Sequence, residues 1–123
     1  MLDNQPFRTG EVTVDGVTVR YRVAGPENGR APLVLVHGTA GSIDGHFGYI
    51  FPMMAYRQRV IALDLSEPAC DTLELVQLVA QVRAVINAEV PTSPVTLLGY
   101  SLGAVVAAKT AAELGERITN LVL

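Results

Sequence analysis

The sequence has one cysteine, no cluster of lysine and arginine, and no long uninterrupted apolar run. With Cys70 alone, no intrachain disulfide can form and nothing signals an oxidising compartment, so the thiol reads as a small packing residue. Nine basic residues face twelve acidic ones, for a net charge of −3, and the basic ones are scattered. Binding to nucleic acid needs a concentrated basic face to displace counterions from phosphates, so a nucleic-acid partner is excluded, and a membrane surface for the same reason. No apolar stretch reaches the roughly 18 residues of a membrane span. The opening MLDNQPFRTG lacks both the basic and the apolar region of a secretory leader, and the expectation is a cytoplasmic protein. A length of 123 residues leaves no room for a second domain. A single domain over 1–123 of this size buries roughly two-thirds of the surface its unfolded chain exposes. Half of the residues are hydrophobic and 17% are charged, a balance that suits a compact α/β protein with a buried sheet.

The apolar pattern then divides the chain into elements. Residues 11–23 alternate apolar and polar on both sides of Asp15-Gly16, a dipeptide that supports the positive φ angles of a tight turn, and predict an N-terminal β-hairpin with one wet face. LVLVHG at 33–38, RVIALDL at 59–65 and VTLLGY at 95–100 are apolar on both faces, as internal parallel strands must be. Between them, FGYIFPMMAY at 47–56 reads as one short helix. A longer helix running to about residue 88 opens on Asp71 and Glu74, which have capping-box character, and shows a polar stripe at Glu74, Gln77 and Gln81. Residues 102–114 read as a further helix and ITNLVL, from Ile118 to Leu123, as a sixth strand. Alternating strands and helices predict a mostly parallel sheet covered by helices on both faces, joined by right-handed crossovers.

The chemistry concentrates at TLLGYSLGAVVAA, residues 96–108, where a buried strand runs into a serine between two glycines and on into a helix. In Gly99-Tyr100-Ser101-Leu102-Gly103 a sharp strand-to-helix turn would hold the Ser101 hydroxyl above the sheet, while Gly99 and Gly103 let the backbones approach. The helix start at Leu102 points unpaired N–H groups and the positive dipole end at the same place. Taken alone, the pattern fits an ordinary turn capped by a serine about as well. HGTAGS at 37–42 shifts the balance, because acyl transfer needs two donors for the oxyanion: Leu102 N–H, following the serine, and Thr39 N–H, from the loop after the third strand. Gly38 and Gly41 allow that loop to bend. A phosphate-binding loop is a poorer fit, since GTAGS has neither the G-x-G-x-x-G spacing nor the lysine of a P-loop.

The hairpin, LVLVHGTAGS, Pro52 in the first helix, YRQRVIALDL and LLGYSLGAVVA follow one another in the order and approximate spacing of the α/β-hydrolase fold superfamily, and the chain resembles that family's N-terminal part. The resemblance implies Ser101 as nucleophile, Thr39 and Leu102 as oxyanion donors, a structural His37, and no metal or organic cofactor. It also implies a triad acid and histidine on loops after later strands, yet beyond Ser101 the sequence has only Glu113 and Glu116 as acids and no histidine. DLSEPACD at 64–71 also departs from the glycine-containing turn common after the family's fourth strand. The remaining histidine, His46, near Asp44, is a weak candidate for the base, since a polar loop histidine is more often solvated; Asp64 better suits fixing a turn. Phe47, Tyr49 and Phe51 suit packing of the first helix better than an acyl pocket.

The expectation is therefore a serine hydrolase for a small ester, thioester or related acyl substrate, truncated after about six strands, with the C-terminal portion missing. A reading frame that continues past Leu123 favours this enzyme. The other reading is a non-catalytic binding protein on a shortened hydrolase scaffold. In either case the strand ending at Leu123 would be an open sheet edge, expected to self-associate or to take up a complementing C-terminal segment.

Overall fold

The computed structural model describes residues 6–38, 41–66 and 75–123. Thr39, Cys70, Asp71 and Glu74 lie outside them. Six strands form one sheet: β1 (Arg8–Val14), β2 (Val17–Ala24), β3 (Leu33–Val36), β4 (Val60–Asp64), β5 (Val95–Gly99) and β6 (Ile118–Val122). Their order across the sheet is β1-β2-β4-β3-β5-β6. The hairpin joins β4 antiparallel, while β3 pairs parallel with β4 and β5, and β5 parallel with β6. Asp15 and Gly16 take φ of 50° and 80°, the two positive values that a two-residue hairpin turn demands.

Four helices cover the sheet: α1 (Ile43–Phe47), α2 (Ile50–Ala55), α3 (Leu75–Glu89) and α4 (Leu102–Leu114). The alternation of side chains along the strands sorts the core into two layers. Val34, Val36, Ile61, Leu63, Val95 and Leu97 face α3 and α4, whose Val82, Val85, Ile86, Val106 and Ala107 close that side. Leu33, Leu35, Val60 and Ala62 face α1 and α2, where they meet Ile43, Phe47, Phe51 and Ala55. All four β3 side chains are buried, as a strand covered on both faces requires.

Two expectations are corrected. The single helix at 47–56 is in fact two, and the first begins earlier, at Ile43, because the Ser42 hydroxyl accepts the Gly45 N–H at 2.9 Å and caps it. Pro52 falls in the first turn of α2, where a missing N–H costs no helical hydrogen bond. The polar stripe on α3 does not mark a solvent face at Gln81, which is 2% exposed. Its carboxamide accepts the Ser66 N–H at 2.9 Å and donates to the Ser66 carbonyl at 2.6 Å, pairing with the chain after β4 as a neighbouring strand would.

The hairpin is tied to the end of α3 by Glu89, which accepts from the Tyr21 hydroxyl at 2.6 Å and from the Arg8 guanidinium. The hydrogen-bonded Arg8 holds the Glu89 carboxyl below its ordinary range, while burial and the bond to Glu89 push the Tyr21 phenol up to about 12. An unfolded chain ionises this tyrosine near 10, so it loses its proton first and folding stability falls as pH rises from about 10 to about 12. The expected loss is about 3 kcal/mol at most in denaturant titrations across that window. Tyr21→Phe should lack this step.

Candidate active site

β3 and β5 run side by side with Val36 opposite Gly99, so the loops that leave their C-terminal ends are neighbours. The chain after β5 turns at once into α4, with Tyr100 N–H on the Val36 carbonyl at 3.1 Å and Gly103 N–H on the Tyr100 carbonyl at 2.9 Å. Ser101 sits at the apex with φ 59° and ψ −122°, a conformation an L-residue adopts only at a cost of roughly 1–3 kcal/mol. Its side chain makes no capping hydrogen bond, which removes the ordinary explanation of a serine at a helix start. Ser101 and Tyr100 are both exposed.

The flanking glycines are fixed by contact. A Cβ at Gly103 would lie 2.2 Å from the Val36 carbonyl oxygen and 2.4 Å from that of His37, and one at Gly99 would lie 2.3 Å from the Gly103 carbonyl oxygen. Gly38 faces the elbow from the other loop: a Cβ there would come within 2.9 Å of the Ser101 Cβ and of the Tyr100 carbonyl oxygen. The geometry thus brings together Ser101, Leu102, Gly99, Gly103 and Gly38. Thr39, expected to supply the second oxyanion N–H, is outside the described residues, between Gly38 and Gly41.

His37 is 4% exposed, and both its ring nitrogens are in use. Nε2 accepts the Leu65 N–H at 2.9 Å, which leaves the proton on Nδ1, 2.8 Å from the Gly38 carbonyl oxygen. The ring therefore bridges the end of β4 to the loop after β3. His46 lies beside this loop, with its ring 4.9 Å from that of Tyr100 and its Nδ1 accepting the Gly38 N–H at 3.0 Å. Among the described residues no hydrogen bond joins His46 to Ser101. Asp44 does not pair with His46; it forms a two-pronged ion pair with Arg22 at 2.7 and 3.0 Å, and that hydrogen-bonded guanidinium lowers its carboxyl pKa. Asp64 accepts the Ile43 N–H at 2.8 Å and so fixes the start of α1. Phe47 and Phe51 are core residues, whereas Tyr49 is 80% exposed. Among the described residues no three His, Cys, Asp or Glu side chains converge as a metal site would need, and no helix is long and apolar enough to cross a membrane.

Sequence reasoning missed Gln81, which holds the start of the segment that follows β4. The available signal was the polar stripe that Gln81 shares with Gln77, but its partner is the Ser66 backbone and no side chain announces it.

A family model described as the alpha/beta hydrolase fold matches residues 31–123. The chain belongs to the α/β hydrolase fold family. Within it, the chain is 31% identical over 118 residues to the pyrrolizixenacetamide deacetylase of Xenorhabdus hominickii, covering 92% of this chain and 43% of that one. It is 33% identical over 115 residues to the dihydrolipoyllysine-residue acetyltransferase component of an acetoin cleaving system from Pseudomonas putida, covering 89% and 30%. In structure, the α/β hydrolase chain superposes on an epoxide hydrolase from Vigna radiata with a TM-score of 0.80 at 19% identity, over 94% of this chain and 38% of that one. It spans less than half the length of each of these three proteins.

Proposed function

We propose that this chain is the nucleophile-bearing part of a serine hydrolase that acts on an ester, thioester or related acyl substrate through an acyl-Ser101 intermediate. The observation that carries the reading is the Ser101 backbone at φ 59° and ψ −122°, held between two glycines that admit no side chain. Strain of this kind has no use in an ordinary turn, and it lifts an exposed hydroxyl clear of the helix it introduces. In the step proposed, Oγ attacks the acyl carbon, a base takes its proton, and the oxyanion forms beside the N–H groups of Leu102 and Thr39. Collapse expels the alcohol or thiol with that proton, and water then releases the acid. No metal or organic cofactor is required. Two relatives named for moving or removing acetyl groups support an acyl substrate.

His46 is a poor base here, because its Nδ1 lone pair is already given to Gly38 N–H and the ring proton must then sit on Nε2. Loss of the base from a serine triad costs on the order of 10⁶ in kcat, with roughly 10³ over water left to the oxyanion hole and binding. The isolated chain is therefore expected to show no more than that residual turnover of p-nitrophenyl acetate. With imidazole added as an external base, mass spectrometry should find acetyl on Ser101, and none in Ser101→Ala. Acetylation scattered over surface lysines with Ser101 unmodified would favour a binding protein. Fast turnover without imidazole, abolished by Ser101→Ala, would reinstate His46 as base.

A further inference from the structure

We propose that His46 is a positioning residue, whose Nδ1 holds the Gly38 peptide against the Ser101 elbow and whose protonation releases that peptide. This rests on the reading of the loop after β3 as the source of the second oxyanion donor. The Gly38 peptide is held from both sides. Its N–H goes to His46 Nδ1 at 3.0 Å, while its carbonyl oxygen takes the Gly41 N–H at 3.1 Å and lies 2.8 Å from His37 Nδ1. The His46 ring also fills the space beside both glycines. A Cβ at Gly41 would meet it at 2.3 Å, and one at Gly38 would lie 3.2 Å from its Cε1 and 2.9 Å from the Ser101 Cβ. The ring and the serine thus flank Gly38.

An imidazole that accepts at Nδ1 cannot also be protonated there, so conversion to imidazolium must break the bond to Gly38 and set two N–H donors against each other. The titratable groups around the ring do not compete for this role. Tyr100 packs edge-on at 4.9 Å between ring centres, and His37 at 6.2 Å is engaged with Leu65 and Gly38. Asp44 is paired with Arg22, and Asp64 with the Ile43 N–H. Among the described residues no carboxylate is therefore placed on His46 to hold its proton, and the contact that a proton destroys is the one that holds the Gly38 N–H.

The test is nitrogen and amide NMR of the ¹⁵N-labelled chain. His46 is expected to show a bare Nδ1 and a protonated Nε2, and the Gly38 amide shift and exchange should follow the His46 titration. His46→Phe keeps a flat ring without the acceptor and should speed Gly38 exchange about tenfold, the loss of one neutral hydrogen bond. His46→Asn offers a carboxamide oxygen near the Nδ1 position and should keep the protection, now independent of pH. A Gly38 amide blind to the His46 titration, or equally protected in His46→Phe, overturns the proposal. Ser101 acetylation with added imidazole, measured on the same samples, separates the two readings. If the parent is not acetylated, the proposed function fails while the Gly38 result stands. If His46→Phe frees Gly38 yet acetylates as fast as the parent, the positioning role fails alone.

Discussion

Ester hydrolysis by this chain is expected to rise by up to about 10⁶ when a second polypeptide supplies further parallel strands with an acid and a histidine on their loops. Among the described residues β6 is the last strand of the sheet and pairs with β5 alone, which leaves its other edge with unpaired N–H and C=O groups. Leu121, Val122 and Leu123 are 39%, 48% and 69% exposed, an apolar rim that added strands and their helices would cover. Docking there brings new loops to the C-terminal end of the sheet, the end at which β5 runs into Ser101. The incoming histidine then takes the Oγ proton and returns it to the leaving group, while the acid fixes its tautomer. Turnover of a p-nitrophenyl ester and labelling of Ser101 by a fluorophosphonate should appear together on mixing. A tight complex with Ser101 unlabelled sinks the nucleophile assignment. Alone, the same edge should recruit a second copy, and sedimentation that stays monomeric at high concentration would count against an open edge.

At the elbow, a large loss of folding stability is expected from Gly103→Ala. Its new methyl meets two backbone carbonyl oxygens, of Val36 and His37, at 2.2 and 2.4 Å, and neither can swing aside as a flexible side chain would. Either α4 moves off the sheet or β3 shifts, and the cost is about 3 kcal/mol or more, in the range of severe overpacking. Gly16→Ala is the control. It has nothing within 4 Å and only the strain of φ +80°, about 1–2 kcal/mol. Denaturant midpoints decide the matter, and a Gly103→Ala chain no less stable than Gly16→Ala would show that close approach at the elbow is dispensable.

What was legible in the sequence is what short-range chemistry dictates. The Asp15-Gly16 turn and the two-sided apolar strands each carry their reason within a few residues, while the glycines around Ser101 were legible from their spacing although Gly103 is required by the distant Val36 and His37 carbonyls. The start of α1 was obscured because glycine at 41, 45 and 48 imitates a loop, and only the Ser42 cap reveals the helix. The contacts of Gln81 and His46 were hidden for a different reason. Their partners are backbone groups of Ser66 and Gly38, and a peptide group leaves no trace in the sequence when it attracts a side chain from another element. The Arg22–Asp44 pair, which takes Asp44 away from His46, likewise joins β2 to α1 across 22 positions of chain.

The strand order has a wider consequence. The connection from β3 leaves through α1 and α2 on one face of the sheet, whereas the chain after its neighbour β5 turns into α4 on the other. Adjacent strands whose exits diverge in this way form a topological switch point, and a crevice opens above their carboxyl ends whatever residues stand there. Ser101 and Gly38 stand on its two banks. The place of the crevice is thus laid down by connectivity, and its chemistry is left to the few residues that line it. Such a scaffold can exchange one chemistry for another without refolding, because the cleft does not depend on the groups that use it.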